Sequence, residues 1–306
     1  MDLSKQLATK QIAKKSTLTI GVFDGVHLGH LYLIKKLIEI AGCKQSLSGI
    51  ITFLNHPSEI LNPKFNPSFI MDPNEKILLL EKTGVDYVIP ITFNQSISTM
   101  SAITFIDNLQ SNLNMKGLVV GSDFAMGKNR ETTAIGLQNL GLDKKFSTDI
   151  IKPQEINGIP LRSTSVRNFL LSGDIKNASK VLGRNFNVSG TVAHGEKRGR
   201  KLGYPTANLK TSTGIMLPSN GIYATFAFIN GSKFMSATSI GTNPTFEGNT
   251  KTVETYILNF DKDIYGQPIK IEFIKRLRDE MKFSSVESLI AQMDVDIIKI
   301  EKILKI

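Results

Sequence analysis

Two of the four histidines in this chain stand three residues apart in FDGVHLGH (23–30). Paired imidazoles at that spacing can fill a turn, ligate a metal or donate hydrogen bonds to a phosphate. A metal would need a third ligand, His56 or a carboxylate, and the spacing is not that of HExxH. Phosphate binding accounts for more of the neighbourhood. TLTIGV (17–22) is a β-branched run suited to a buried strand, and FDG is turn chemistry. Leu28, Leu31, Ile34, Leu37, Ile38 and Ala41 then recur at helical spacing toward a Gly42 stop. His27 and His30 therefore belong at a helix N-terminus on the C-terminal edge of a parallel sheet. Ligands of open α/β sheets bind at that edge, and helix N-termini attract anions. Each imidazole that donates to a phosphate oxygen in the transition state is worth roughly 3 kcal/mol of barrier. Gly29 is expected to let the backbone approach the ligand.

A second anion site is expected in LRSTSVRNFLLSG (161–173), where Ser163, Thr164 and Ser165 open a helix and Arg167 lies in its first turn. Hydroxyls there serve as ordinary caps, but the added arginine suits a polyphosphate. VVGSDFAMGKNR (119–130) is not a P-loop: five residues separate Gly121 from Gly127, and Asn129 stands where Ser or Thr is required. In GRKLGYPTANL (199–209), Thr206 and Asn208 are neutral oxygen donors that suit Mg²⁺ holding phosphate. Glu254, in TVETYIL, alternates against Val253, Thr255 and Ile257, and becomes a candidate general base if its face borders a pocket.

These residues need two kinds of scaffold. From 17 to about 151, strand-like and helix-like segments alternate, as in βαβ units with a sheet covered on both faces. STSVRNFLLSG and DIKNASKVLG are two short helices, each closed by glycine. Beyond Gly183 the pattern becomes FNVSGTV, GIYATFAF, KFMSATSIG, TVETYILNF and IKIEFI, short strands with an Asn230-Gly231 hairpin signal. A terminal amphipathic helix follows, capped by Ser284 or Ser285, with Val286, Leu289, Ile290, Met293, Ile297 and Ile300 as its stripe. The expected fold is α/β: an N-terminal doubly wound parallel-sheet domain (1–185), then a small antiparallel β-barrel with a terminal helix (186–306).

Bulk composition narrows the setting. One cysteine excludes an internal disulfide and a Cys-based zinc site, and no run approaches the ~20 apolar residues of a membrane span. The first fifteen residues lack the apolar core of a secretory signal, so a cytoplasmic protein without membrane partners is expected. A net charge of +10, densest in EKRGRKLG (196–203), suits a phosphorylated small molecule. Nucleic acid is a weaker fit, because that patch lacks interleaved aromatics.

In order along the chain, GVFDGVHLGH, TFLNHP, GSDFAMGKNR, STSVRNFLLSGDIKNASKVLGR, GRKLGYPTANL, GTNPTF, VETYILNF and FIKRLRDEMKF resemble the motifs of bacterial bifunctional riboflavin kinase/FAD synthetases. HxGH marks only the wider nucleotidyltransferase superfamily, whereas PTAN followed by a strand glutamate is far more specific. The resemblance implies phosphorylation of riboflavin to FMN in the barrel, then transfer of AMP from ATP to FMN in the first domain, giving FAD and pyrophosphate. It implies Glu254 as the base, Thr206 and Asn208 as Mg²⁺ ligands, and Gly195, Arg200, Gly203 and Pro205 around the kinase ATP. Arg278 and Met281 would contact the flavin. In the first domain it implies Gly21, Phe23, Asp24, Gly25, Gly29, Ser163, Thr164 and Arg167 at ATP, beside His27 and His30. His56, Asp123, Phe124 and Arg130 would hold FMN. Met126, Arg162, Asn55 and Met281 depart from the usual pattern: Arg162 keeps or adds positive charge for phosphate, and Met126, Asn55 and Met281 are expected to line flavin or adenine pockets. A monomer or weak homo-oligomer acting on small molecules is expected. The alternatives are a chain with only one live activity and a flavin-binding module without turnover.

Overall fold

A computed structural model describes residues 2–8, 12–62, 68–195, 199, 202–245 and 248–305, with the backbone alone at 243–245 and 248–250. The chain divides into two compact units, Met1–Ser163 and Thr164–Ile306.

The first unit is built on a five-stranded parallel sheet, β1 (Ser16–Gly21), β2 (Leu47–Phe53), β3 (Tyr87–Ile91), β4 (Met115–Gly121) and β7 (Ser147–Ile151), in the order β3-β2-β1-β4-β7. Two small ribbons accompany it: β5 (Ala125–Met126) with β6 (Thr132–Thr133), and β8 (Glu155–Ile156) with β9 (Ile159–Pro160). The sheet is apolar on both faces because helices cover both. Ile51, Leu118 and Val120 point toward helix Ala102–Leu113, and Ile50 and Val119 point toward helix Leu28–Cys43. Each residue thus joins the core its strand parity dictates. The sequence reading omits a short helix, Leu3–Leu7, which buries Leu3 and Leu7 in the first of these cores. Gly42 does not stop its helix, which runs on to Cys43 with Lys44 as C-cap.

The second unit is a closed barrel in the order β10-β11-β14-β13-β12-β15. Its strands are β10 (Asn187–Ala193), β11 (Thr206–Thr211), β12 (Gly221–Ile229), β13 (Ser232–Thr245), β14 (Gly248–Ile257) and β15 (Pro268–Arg278). Asn230 and Gly231 both take positive φ (48° and 80°) between β12 and β13, the two-residue hairpin expected. β11 is the strand missing from the sequence reading, which treats GRKLGYPTANL as a donor motif and assigns it no element. Inside the barrel Thr225, Ser236, Thr238 and Thr255 are fully buried, yet they satisfy one another through hydroxyl contacts of 2.8–2.9 Å. Helix Ser163–Ser172 from Thr164 onward and helix Ile175–Leu182 belong with this unit, where Ser219 N–H donates to Leu170 O at 2.9 Å. The second compact unit therefore begins at Thr164, ahead of the strands of the barrel.

Ser285 caps the terminal helix, Val286–Leu304. Its stripe does two jobs: Ile300 and Leu304 pack on the barrel beside Ala224, while Leu289, Met293 and Ile297 line a cavity. Val286, at the exposed start, is 51% accessible and belongs to neither.

Candidate functional site

At the edge of the parallel sheet, β1 ends at Gly21 and the chain turns through Phe23, Gly25 and Val26, all at positive φ (51°, 80° and 38°). His27 is then the N-cap of helix Leu28–Cys43, and its Nδ1 accepts the His30 N–H at 3.2 Å. A neutral His27 accepting at Nδ1 carries its proton on Nε2, where it can donate to a ligand. The two imidazoles stack with centroids 3.5 Å apart, and Phe23 meets His30 edge-on at 5.1 Å. Parallel stacked rings beside a helix N-terminus suit one anion more than a metal. Among the described residues no group of three or more His, Cys, Asp or Glu is placed to hold a metal ion.

Several expected contacts turn out to shape the loop. Gly29 is required by packing within the protein as well: a Cβ there would lie 2.4 Å from Leu161 O. Asp24 is 2% exposed and its carboxylate accepts the Ile70 N–H at 3.0 and 3.1 Å, so it braces the cradle from within. Ser163, the last residue of the first unit, donates through Oγ to Asp24 O at 3.0 Å. Thr164, Ser165 and Arg167 follow in helix Ser163–Ser172.

The residues expected at FMN are spread over two loops. His56 caps helix Pro57–Leu61, with Nδ1 accepting from Ser58 N–H, and faces Phe69 at 6.1 Å. Asp123 is exposed, accepts through its carbonyl from Arg130 at 3.3 Å, and lies 3.8 Å from Arg162. Phe124 and Met126 pack on the sheet core, so Met126 fills core space. The Asn55 amide both donates to and accepts from the Phe93 backbone, at 2.9 and 2.8 Å.

The barrel site grows from strand register. Glu254 on β14 stands opposite Asn208 on β11 and Ser239 on β13, while Val253, Thr255 and Ile257 point into the barrel. Glu254 is thus on the outer face, but the face is roofed. The terminal helix and Arg278, Met281 and Phe283 enclose with it a cavity of ≈ 420 Å³. Thr206 Oγ1 stands 3.5 Å from Glu254 Oε2, and Thr206 also borders a second cavity of ≈ 320 Å³ lined by Pro205, Phe260 and Tyr265. A Cβ at Gly195 would lie 2.3 Å from Asn208 Nδ2, so glycine there leaves room for the amide. Thr206 borders both cavities, Glu254 borders the larger, and Asn208 pairs with Glu254 across the strands; together they offer the hard oxygen donors that Mg²⁺ with phosphate prefers. Gly203 is exposed, and Arg200 lies outside the described residues.

Three residues escaped the sequence reading. Asp296, 4% exposed, receives Arg278 through Nε and Nη2 at 2.9 and 2.6 Å, so this guanidinium anchors the terminal helix as it lines the larger cavity. An acid falling on the apolar stripe between Met293 and Ile300 was its signal. Tyr204 donates to Asp294 on the same helix, which pushes its phenol up to about 12. Lys76 is 1% exposed in helix Pro73–Glu81, on the face of Leu80.

Comparison with known proteins finds two domains in tandem. A family model described as FAD synthetase matches residues 9–165, and one described as riboflavin kinase matches 182–304. Proteins named bifunctional riboflavin kinase/FMN adenylyltransferase are similar over most of the chain. That of Listeria monocytogenes is 35% identical over 91% of this chain and 89% of its own length. That of Buchnera aphidicola (from Schizaphis graminum) is 37% identical over 95% of each, and that of Escherichia coli 36% identical over 91% and 90%. A crystal structure from Streptococcus pneumoniae, solved under the name macrolide-efflux protein, superposes with a TM-score of 0.86 at 31% identity, covering 94% of this chain and 95% of that one. Among the described residues here, no helix is long and apolar enough to cross a membrane. With two family models in tandem and relatives spanning nine-tenths of its length, the chain belongs to the bifunctional riboflavin kinase/FMN adenylyltransferases.

Proposed function

We propose that the protein makes FMN and then FAD from riboflavin, with Glu254, Thr206 and Asn208 serving the first reaction and His27 and His30 the second. The observation that carries this reading is a pair of phosphate-handling constellations, one on each unit. In the barrel, riboflavin occupies the larger cavity, with its ring system against Met293, Ile297 and Met281 beside Arg278, and ATP enters the cavity bordered by Pro205. The 5′-hydroxyl then attacks the γ-phosphorus across Thr206 and gives its proton to Glu254 as the bond to ADP breaks. Thr206 and Asn208 would hold Mg²⁺, which when bound neutralises charge on the phosphate oxygens. The remaining catalysis is positioning, which the rigid register of β11 and β14 supplies.

In the first unit an oxygen of the FMN phosphate attacks the α-phosphorus of ATP, and the bond to the β-phosphate oxygen breaks to release pyrophosphate. The FMN phosphate is itself the nucleophile, so no covalent enzyme intermediate forms. His27 donates through Nε2 and His30 stands stacked beside it, both aimed at charge that develops on the α-phosphate. Ser163 serves the departing pyrophosphate, and His56, Phe124 and Arg130 the flavin. The setting is the cytoplasm, with the protein acting as a monomer or weak homo-oligomer.

The test is chromatography of products after incubation with riboflavin, ATP and Mg²⁺. Glu254→Gln is expected to abolish FMN formation yet convert added FMN to FAD. His30→Ala is expected to accumulate FMN. Loss of both activities together in either variant, with the fold intact, would refute the two-site assignment.

A further inference from the structure

We infer that Lys76 is a positioning residue for adenylyl transfer, fixing the spacing of the two loops that carry His27, His30 and His56. The inference rests on the reading of the paired imidazoles given above. Lys76 Nζ donates to Val22 O at 3.1 Å and to Phe53 O at 2.5 Å. Gly21 pairs with Thr52 in the parallel register of β1 and β2, so Val22 and Phe53 are the next residues on two adjacent strands. At that point the chains part: Val22 leads into the loop to His27, and Phe53 leads to His56 three residues on.

Parting strands leave carbonyls without ladder partners, and buried carbonyls need donors. Thr52 Oγ1 supplies one to Val22 O at 3.2 Å. The ammonium of Lys76 adds a second tie, donating to a carbonyl on each strand at once. Its burial works against the charge, pushing it down to about 8 against the opposing pull of Asp24. Asp24, itself buried, is the acid facing it and lies in the loop to His27. Methionine would fill the same volume without that cost, so holding an ammonium here costs stability that packing alone does not require. Kept at the ligand edge of the sheet, it fits a functional device more than a packing one.

The test is steady-state kinetics of both reactions on the full chain, which carries its own control in the kinase. Lys76→Met is expected to lower kcat for FMN adenylylation roughly 100-fold, the scale of a ~1 Å displacement of catalytic groups, while KM for ATP stays within about threefold. Riboflavin phosphorylation should stay within about twofold of the parent. Lys76→Gln, whose amide can still donate, is expected to recover about tenfold of the loss. A folded Lys76→Met with undiminished adenylylation, a loss confined to KM, or a Gln variant no better than Met would each overturn the inference. If Lys76→Met does not fold, the kcat and KM of Lys76→Gln decide alone. An active His30→Ala would instead remove the imidazole reading, whereas inactive His30→Ala beside active Lys76→Met removes only the role of Lys76.

Discussion

Asp296→Ala tests how the flavin cavity is held shut. Arg278 and Asp296 keep side-chain exposures of 18% and 6%, and the pair is secured by Arg278 Nε and Nη2 and by Gln292 Nε2, which donates to Asp296 Oδ1 at 2.9 Å. Removing one partner of such a pair leaves an uncompensated charge, at a cost of 3–5 kcal/mol when burial is complete. The guanidinium keeps some contact with water, so the expected loss is about 3 kcal/mol. Ile300 and Leu304 still pin the far end of the terminal helix, so the loss is local to the turns bearing Leu289, Met293 and Ile297. Those turns wall the cavity. If half of the loss is felt by the ligand, riboflavin binding weakens about tenfold. A two-unit chain does not unfold in one step, so the assay is amide hydrogen exchange across the helix, paired with a riboflavin fluorescence titration. Arg278→Met/Asp296→Leu should recover most of the stability, because an apolar pair of similar volume carries no desolvation cost. A single variant that opens no faster than the parent, or a double variant as loose as the single, would refute the reasoning.

Two glycines of one helix should respond in opposite directions to alanine. Gly29→Ala meets Leu161 O at 2.4 Å and is expected to cost about 1–3 kcal/mol and to depress FAD formation, whereas Gly42 has nothing within 4 Å of a Cβ, so Gly42→Ala should gain about 1 kcal/mol. Urea midpoints of the two variants give the signs. Lys76 also sets a pH dependence, since its proton is lost at about 8 in the folded protein and 10.5 in the unfolded chain. Between those values the unfolded chain binds more protons, so stability rises with pH across the window, by about 3 kcal/mol in full. Melting at stepped pH should show that rise in the parent and a flatter profile in Lys76→Met.

The sequence by itself determined the pieces whose physics is local. β-branched runs between amphipathic helices dictated a sheet covered on both faces, Asn230-Gly231 dictated its hairpin, and the histidines fell at a helix start because a turn and a helical stripe bracket them. The donor types of Thr206, Asn208 and Glu254 were legible as well. Only the tertiary structure decided what those groups face. Glu254 had the alternation of a solvated outer residue, and it borders a cavity only because a helix some forty residues later folds over that face. Asp24 and Asn55 were expected at ligands, and only the fold shows which backbone N–H groups, on distant segments, their side chains also bond. Lys76 and Asp296 were hidden for the converse reason: a buried charge is tolerable only beside partners far along the chain, and a local pattern holds no record of them. Periodicity reports which side of an element is covered, and closure of the fold determines by what.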